Sequence, residues 1–485
     1  MSKFLDKGAF LPPSDYKLLP LKFDRLSHGQ YVITNFVGEY LVIADDDLHN
    51  LIAHTLTPSA AIYPDLLAKH FVYAPGQQAP LQLLALKART KYARLANFTN
   101  LHIFVVTLRC DHSCPYCQVS RQSEDRAAFD MTTEVADKAI EFVFRSPSPA
   151  IKVEFQGGEP LLNFEMVKYV VRGTKEKNKV FQRDLQFVIA TTLSLLTDEI
   201  LAFCAEHDVY LSSSLDGPED LHNANRPRPG RDSHQKFVAG LEKARGALGY
   251  DRISALMTTT DKSLPRVKEI IDEYLRLGFG GIFLRALSPY GFAIKTKKFA
   301  SYDTAEWLNF YKEGLAYIIE LNRAGIPFVE YYASIILTKM LTPADPGFVD
   351  LMSPSGAGIA AIVFNYDGAV YPSDESRMLA EMDDYKFRLG HLLENSYEEI
   401  ILSDVLMDAL ETTYTGSVPM CADCAFEPYC GADPVYHYAT QGDMVGRKPE
   451  SPFCHRNMEV FKHLIELMRD DAEVRRIFYG WANNC

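Results

Sequence analysis

The sequence predicts an α/β protein built on a partial (β/α)6 TIM-like barrel, with a small unit before the barrel and a cysteine-rich extension after it. Three observations carry this prediction. From about residue 100 to residue 330, apolar strand-like runs alternate with amphipathic helical segments. On either side that alternation is absent: the chain before it reads strand, strand, helix, helix, and the chain after it is rich in turns and cysteine. Within the alternating stretch, every unusual sequence directly follows a predicted strand, which is where parallel α/β folds place their chemistry. The expected units are residues 1–95, 96–330 and 331–485.

In the first unit, "YVITNFVGEYLVI" gives two β-type runs around Asn35–Gly38, a hairpin signal. "DDDLHNLIAHTL" places Leu48, Leu51, Ile52 and Leu56 on one helical face, and "YPDLLAKHFV" follows as a second short helix. In the second unit the expected strands are "HIFVVTL", "IKVEF", "LQFVIAT", "VYLSSSL", "ISALMTT" and "GIFLRAL". Helical segments such as "NFEMVKYVVRGTKEK", "TDEILAFCAEH" and "RVKEIIDEYLRLG" lie between them. Apolar strands joined by helices imply a parallel sheet, open or closed into a partial barrel. "CDHSCPYC" follows the first strand and "QGGEP" the second, while "TTLS" ends the third and "SSLDG" the fourth, so all four fall at one end of the sheet.

Composition narrows the function classes. With 485 residues and 47% hydrophobic content the chain can build large cores. Its 50 Lys and Arg against 63 Asp and Glu, a formal charge of −13, argue against an extended nucleic-acid surface. No run of 18 apolar residues predicts a membrane span. "MSKFLDKGAFLPPSDYK" lacks the apolar centre of a signal peptide, so the nine cysteines are expected to be metal ligands in a reducing cytoplasm.

Three of those cysteines, Cys110, Cys114 and Cys117, fall in "TLRCDHSCPYC" with C-x3-C-x2-C spacing. Disulfides need pairs and structural zinc takes four ligands, so three thiolates suggest a metal centre with one open position. A zinc knuckle with a distant fourth ligand is the competing reading. In "FQGGEP", Gly157 and Gly158 carry no Cβ and let the backbone approach a ligand, Glu159 offers a carboxylate to an ammonium, and Gln156 would face the same cavity. An ordinary Gly-Gly turn competes. "SSSLDG" puts Ser214 and Asp216 at a strand end, with Asp216 read as a turn residue before Gly217. Arg226 in "HNANRP" reads either as a ligand contact or as a solvated surface charge.

A second group, Cys421-x2-Cys424-x5-Cys430 followed by Cys454, completes a four-thiolate site; residue type alone does not separate zinc from iron–sulfur there. Cys204, on the apolar face of a helix, is expected in the core, and Cys485 is a terminal thiol with no evident role. No catalytic group is assigned: Asp216, Asp367, Tyr371, Asp374 and Glu375 qualify as proton or hydrogen acceptors by type only. Arg285, ending the sixth strand, would meet a carboxylate or pair within the barrel.

The three-cysteine loop, with an aromatic before its last cysteine, resembles that of the radical S-adenosylmethionine (SAM) superfamily. The resemblance implies that Cys110, Cys114 and Cys117 hold a [4Fe–4S] cluster whose fourth iron takes the amino and carboxylate groups of SAM. Electron transfer would then cleave a C–S bond and release a 5′-deoxyadenosyl radical. It implies further that Gly157–Glu159 grip the methionine amino group, that Tyr116 packs near the adenine, and that Ser214 and Arg226 reach the SAM carboxylate. Relatives often show Thr-Asn-Gly-Thr after the third strand. This chain has "TTLS", with Thr192 and Leu193 in place of Asn and Gly, so ribose or substrate contacts there are not carried over.

The second cysteine group resembles the SPASM extension of peptide-modifying radical SAM enzymes. A full SPASM domain holds two clusters and needs a cysteine where Pro434 stands, plus an upstream set absent from "NYDGAVYPSDE". One auxiliary [4Fe–4S] cluster with four protein ligands is therefore expected, with an electron-transfer or structural role. The first unit resembles winged-helix modules that bind a leader peptide as an added strand; a structural cap is the alternative.

Longer phrases, among them "SPSPAIKVEFQGGEPLLNFE", "LDGPEDLHNANRPRPG" and "CADCAFEPYCGADPVYHYATQGD", resemble the His-Xaa-Ser system radical SAM maturases over essentially the whole chain. That resemblance implies a precursor peptide with His-Xaa-Ser repeats, a paired second radical SAM maturase, and a flavodoxin- or ferredoxin-type electron donor. The implied reaction is a crosslink from a histidine ring to a nearby side-chain carbon. Competing readings are a sulfatase-type formylglycine maturase, thioether formation or epimerisation on a peptide, and a non-catalytic Fe–S or zinc protein acting as sensor or scaffold.

Overall fold

The computed structural model describes residues 16–76, 78–295, 299 and 303–483. Cys485 and most of the N-terminal stretch "MSKFLDKGAFLPPSDYK" lie outside the described residues. The first unit opens with β1 Lys17–Leu18 and a three-stranded antiparallel sheet of β2 Lys22–Arg25, β3 Gln30–Thr34 and β4 Tyr40–Ala44. β5 Val72–Tyr73 pairs antiparallel with β1. The expected hairpin closes at Asn35–Gly38, where the Gly38 amide donates to the Asn35 carbonyl at 2.9 Å and Gly38 takes φ +90°.

Helix Asp45–Ile52 buries Leu48 and Leu51, but Ile52 is 46% exposed. The helix stops at Ile52 after barely two turns, so the inward stripe is complete with the i, i+3 pair, and Leu56 enters the core from the following loop. The pattern did not mark β2, whose "KFDR" is short and polar, or helix Ala79–Tyr92, which buries only Leu84. One face of this unit's sheet packs on its own helices through Ile33 and Ile43. The other face joins the main core through Val32. The Thr34 hydroxyl donates to the Ala425 carbonyl at 2.7 Å and Lys22 pairs with Glu427 at 3.0 Å, so the unit is seated on the loop that carries the second cysteine group.

The central sheet holds β6 Leu101–Thr107, β7 Ala150–Gly157, β8 Asp184–Thr191, β9 Val209–Ser214 and β10 Ile253–Leu256, all parallel to their neighbours. β7 and β9 alternate strictly. Ile151, Val153 and Phe155 are buried beneath the helices, while Lys152, Glu154 and Gln156 lie on the other face and stay partly accessible. Val209, Leu211 and Ser213 alternate likewise with Tyr210, Ser212 and Ser214. A parallel sheet dry on both faces would read as one apolar run; this alternation means that the concave face is polar. β6 differs. From His102 onward it is buried on both faces, and burial pushes the His102 imidazole down to about 3.

The sixth expected strand is cut short. Only β11 Gly281–Ile282 forms, and it pairs with β12 Val329–Glu330 in a separate two-stranded sheet, not with β10. The cause is local: the Leu284 amide donates to the Glu330 carboxylate at 3.1 Å and the Arg285 amide to the Phe283 carbonyl at 2.8 Å, which leaves no ladder to extend. On the far side of β6 the chain adds β13 Ala361–Phe364, parallel to β6, then antiparallel β14 Ala369–Tyr371 and β15 Gly390–His391. The sheet order is β10-β9-β8-β7-β6-β13-β14-β15. "NYDGAVYPSDE", read from sequence as turn-rich, is the β13–β14 hairpin and the start of helix Asp374–Ala380. No helix among the described residues is long and apolar enough to cross a membrane.

Candidate functional site

β6 runs directly into the three-cysteine loop, and a register irregularity at Val105–Thr107 turns the chain there. The next strand fixes this turn from the side. The Gly158 amide donates to the Thr107 carbonyl at 2.9 Å and the Glu159 amide to the Arg109 carbonyl at 2.8 Å. A Cβ on Gly157 would sit 1.9 Å from the Thr107 oxygen, and one on Gly158 would sit 2.2 Å from the Arg109 oxygen. The two glycines thus let the loop backbone lie against the strand end. Arg109 forks onto Asp130 with two 2.8 Å bonds, and the Ser194 hydroxyl after β8 donates to Asp111 at 2.6 Å. Gly291 closes the far side, with the Phe292 amide donating to the Cys117 carbonyl at 2.8 Å.

These contacts enclose a cavity of about 210 Å³ at the carboxyl ends of the strands. Cys110, Cys114, Cys117, Tyr116, Gln156, Gly157, Gly158, Ser214 and Arg226 all line it, so nine of the ten residues expected at this site come together there. That one is Glu159. Its carboxylate is fully buried behind the wall. Oε1 accepts from the Thr191 hydroxyl at 2.8 Å and the Leu161 amide at 3.1 Å, and Oε2 from the Thr192 amide at 2.7 Å and hydroxyl at 2.8 Å. A carboxylate offers about four acceptor positions, and all four are taken. The expectation that Glu159 itself meets a ligand ammonium is corrected: it braces the "TTLS" loop, where Thr192 supplies two of its donors. Leu193 takes φ +62° there, a conformation easier for the glycine of relatives, and is buried against Gly240.

Two further readings change. Asp216 is more than a turn residue: it is fully buried, accepts the Tyr116 hydroxyl at 2.5 Å and pairs with Arg226 at 3.2 Å. Arg226 is no surface charge. Its side chain is 13% exposed and its guanidinium lies 5.5 Å from the centre of the Tyr116 ring. Burial works against the Arg226 charge, and the Asp216 carboxylate more than restores it. The trio holds one cationic group, already oriented, at the cavity wall. Burial pushes the Cys114 thiol up to about 12 and Cys110 well above its usual range. Thiols held that way ionise readily only against a metal. Among the other acceptor candidates, Asp367 is a turn residue that receives the Ala369 amide, Tyr371 is core, and Asp374 and Glu375 start the helix Asp374–Ala380. Arg285 lies 3.7 Å from Glu375. Cys204 is a core residue.

Cys421, Cys424, Cys430 and Cys454 line a second cavity, of about 320 Å³. Its walls include Phe426, Phe453 and Phe461, and Phe23 and Asp24 of β2. Burial pushes Cys421 up to about 11 and Cys424 and Cys430 up to about 12. Among the described residues the only three metal-binding groups with ligand atoms within 4.8 Å of one another are Cys110, Asp111 and His112. A single tetrahedral zinc with 2.3 Å bonds would draw its sulfurs to about 3.8 Å. Neither thiol set is gathered that tightly; both suit a larger, polynuclear centre. No local pattern marks Lys448, whose side chain is buried in the second cavity wall and donates to the Val445 carbonyl at 2.6 Å. No carboxylate pairs with it among the described residues, and burial lowers its pKa while the cysteine charges oppose that.

Residues 104–283 match the family model of the radical SAM superfamily. The chain carries a radical SAM domain. Such a domain implies SAM and a [4Fe–4S] cluster, and the donor set in the first cavity fits both. An uncharacterised protein of Methanocaldococcus jannaschii is 28% identical over 189 residues, 39% of this chain. The chain spans 62% of that protein and 64% of a Methanothermobacter thermautotrophicus relative. The cysteine-type anaerobic sulfatase-maturating enzyme of Clostridium perfringens is 24% identical over 309 residues, 60% of this chain and 76% of its own length. The structure of anSMEcpe with bound AdoMet superposes with a TM-score of 0.61 at 17% identity, covering 79% of this chain and 99% of that one. Streptococcus suis SuiB bound to its precursor peptide SuiA gives 0.51 at 12% identity, covering 89% and 96%. These two likenesses establish the radical SAM α/β fold, with the extra C-terminal region beyond the radical SAM domain.

Proposed function

We propose that this chain is a radical SAM maturase that modifies a ribosomally made precursor peptide, with Cys110, Cys114 and Cys117 holding the SAM-binding cluster. The observation that carries this reading is the open three-thiol cavity with Gly157, Gly158, Ser214 and Arg226 on its walls. When bound, the cluster supplies the electron that cleaves the SAM sulfonium. The protein's part is to bind and orient. Arg226, held by Asp216, meets the SAM carboxylate together with Ser214. The backbone of Gly157 and Gly158 takes the amino group, with Glu159 holding the loop behind them. Tyr116 packs beside the adenine. Cys421, Cys424, Cys430 and Cys454 hold one auxiliary [4Fe–4S] cluster, and the wide spacing of their sulfurs supports a cluster over zinc.

The substrate in this reading is a peptide with His-Xaa-Ser repeats, crosslinked between a histidine ring and a side-chain carbon. The N-terminal sheet receives its leader, a second radical SAM maturase acts in tandem, and a flavodoxin or ferredoxin delivers electrons. SuiB's complex with its precursor peptide SuiA supports a peptide substrate. Similarity to a sulfatase-maturating enzyme favours a second reading, oxidation of a Ser or Cys to formylglycine. Against it, Pro434 and "NYDGAVYPSDE" lack the cysteines for a second auxiliary cluster.

The test is anaerobic reconstitution with iron and sulfide, then SAM, reductant and the peptide encoded nearby. 5′-Deoxyadenosine with a loss of two hydrogens per modified repeat supports crosslinking, and fragmentation locates the bond. Formylglycine on a sulfatase peptide instead would support the second reading. An iron-loaded protein that forms no deoxyadenosine overturns the radical reading.

A further inference from the structure

The turn between β3 and β4 borders a cavity that neither cysteine site uses. Its volume is about 260 Å³. Val37, Gly38 and Glu39 of the turn form one wall, and Lys87 and Lys91 of helix Ala79–Tyr92 form a second. The third is the end of helix Tyr331–Leu341, from Lys339 onward, with the loop that follows it to Asp345. Pro428, two residues before Cys430, completes the lining. Three parts of the chain therefore meet here: the first unit, the helix that follows β12, and the loop of the second cysteine group. The lysine head groups lie at the wall itself. The Lys87 ammonium meets Glu39 at 2.5 Å, and the Lys91 ammonium donates to the Pro428 carbonyl at 3.0 Å and the Phe36 carbonyl at 3.2 Å. A Cβ on Gly38 would stand 3.7 Å from the Lys91 nitrogen.

The charges around this cavity do not balance. Lys22, Lys69, Lys87, Lys91, Arg94 and Lys339 share three carboxylates, Glu39, Asp345 and Glu427. Glu39 is held by Lys87 and, at 3.7 Å, by Lys69. Asp345 is held by Arg94 at 3.2 Å and faces Lys339 at 3.8 Å. Glu427 is held by Lys22 at 3.0 Å. Among the described residues Lys91 pairs with no carboxylate, and its two carbonyl bonds leave one of an ammonium's three donors for another partner. Burial and the Lys339 charge lower its pKa to about 8, as expected of a cation short of counter-charge. The whole chain carries a formal charge of −13, so this local cationic excess runs against its average. The lysines are interleaved with Val37, Met340, Leu341 and Pro343. A free inorganic anion is best met by donors on every side. A wall that mixes ammonium groups with hydrocarbon suits a carboxylate carried on a carbon chain.

We infer that this cavity binds the carboxylate of an Asp or Glu side chain of the precursor peptide, with Lys91 as the anchoring ammonium and Lys87 beside it. The inference rests on the peptide-modifying reading and deepens it. It gives the substrate an acidic residue and places that residue at the seam between the first unit and the loop of the second cysteine group.

The test uses the iron-loaded full chain at neutral pH and fixed ionic strength. Ligand-observed saturation-transfer NMR compares two probe peptides, Ac-Ala-Glu-Val-Ala-NH2 and its Gln counterpart. The Glu probe binds about tenfold more tightly than the Gln probe. Lys91→Met removes that preference, and Lys91→Arg, which keeps the charge, retains it. Lys87→Met is the second variant and reduces the preference even if Lys91→Met fails to fold. Equal binding of the two probes overturns the inference, as does a preference that both methionine variants leave intact. Inorganic phosphate that binds more tightly than the Glu probe in competition also overturns it, because the cavity would then serve a free oxyanion. Deoxyadenosine formation is measured on the same preparation. A missing preference with deoxyadenosine formed sinks this inference alone. A clear preference without deoxyadenosine sinks the radical reading and leaves the carboxylate site standing.

Discussion

The two cysteine groups are built from the same side chain and reach opposite designs. Cys110, Cys114 and Cys117 sit on a loop at the mouth of a polar concave sheet, beside one oriented guanidinium and several backbone groups. Cys421, Cys424, Cys430 and Cys454 sit in a cavity walled by phenylalanines, with a single buried ammonium and with Asp24, Asp423 and Glu427 also in its lining. The first arrangement leaves room for a second ligand with its own charges. The second is larger and more apolar. Ligand count and wall chemistry therefore differ together: three thiols beside a fixed guanidinium in one site, four thiols among phenylalanines in the other.

The largest expected effect separates the two sites outright. Cys110, Cys114 and Cys117→Ala together reduce deoxyadenosine formation to background and leave roughly half of the iron bound. Cys424 and Cys430→Ala remove the other half while SAM cleavage without peptide persists; iron analysis and a deoxyadenosine assay on both variants check this. Loss of all iron in either variant would show that the sites load as one.

Next in size is Asp216→Ala. It leaves Arg226 without its partner and the Tyr116 hydroxyl without its acceptor. Removing one member of a buried pair costs about 3–5 kcal/mol, read as a shift in urea midpoint, and SAM affinity falls with it. Gly158→Ala is expected to weaken SAM binding by about tenfold, some 1.4 kcal/mol, because its Cβ would meet the Arg109 carbonyl and push the cysteine loop away. A calorimetric titration with SAM reports it, and an unchanged affinity would remove the role given to this backbone contact.

A smaller effect sharpens the second site. Lys448→Met keeps iron but lowers the midpoint potential of that centre alone, since a cation beside a cluster stabilises the reduced form. The smallest is a pH effect on the metal-free protein. Burial raises the folded thiol pKa values of Cys424 and Cys430 to about 12. The folded state then binds more protons than the unfolded state above about pH 8.5, so its stability falls as pH rises from there toward 12. Urea midpoints of the apo-protein across that range would decline, and those of the iron-loaded protein would not follow.

What could be read in the sequence was whatever is encoded within a few residues. The C-x3-C-x2-C spacing, the paired glycines and the strand–helix alternation each lie in one short window, and each reappears in the fold. What could not be read depends on meetings across the chain. Nothing near Glu159 announces that Thr191 and Thr192 will occupy its carboxylate. Asp216 reads as a turn residue until Tyr116, a hundred positions earlier, arrives above it. "GIFLRAL" has the composition of a full strand, yet the Glu330 carboxylate claims its Leu284 amide and ends the ladder. Lys448 sits in a stretch with no apolar pattern, so its burial beside four thiols carried no advance signal.

β13 changes what can be cut or exchanged. It lies parallel along β6 from Leu101 to Phe104, and β14 and β15 follow it outward. The matched radical SAM segment ends at residue 283, well before this strand. Removing the chain beyond that point would strip one side of β6 and leave a buried, mostly apolar strand as an open edge, the form of strand most prone to pair with a neighbouring molecule. The strand that delivers the three cysteines is thus held in register by the part of the chain that carries the other four. Grafting a different C-terminal region onto this core would have to bring its own edge-covering strand, or the catalytic end would aggregate before any cluster was assembled.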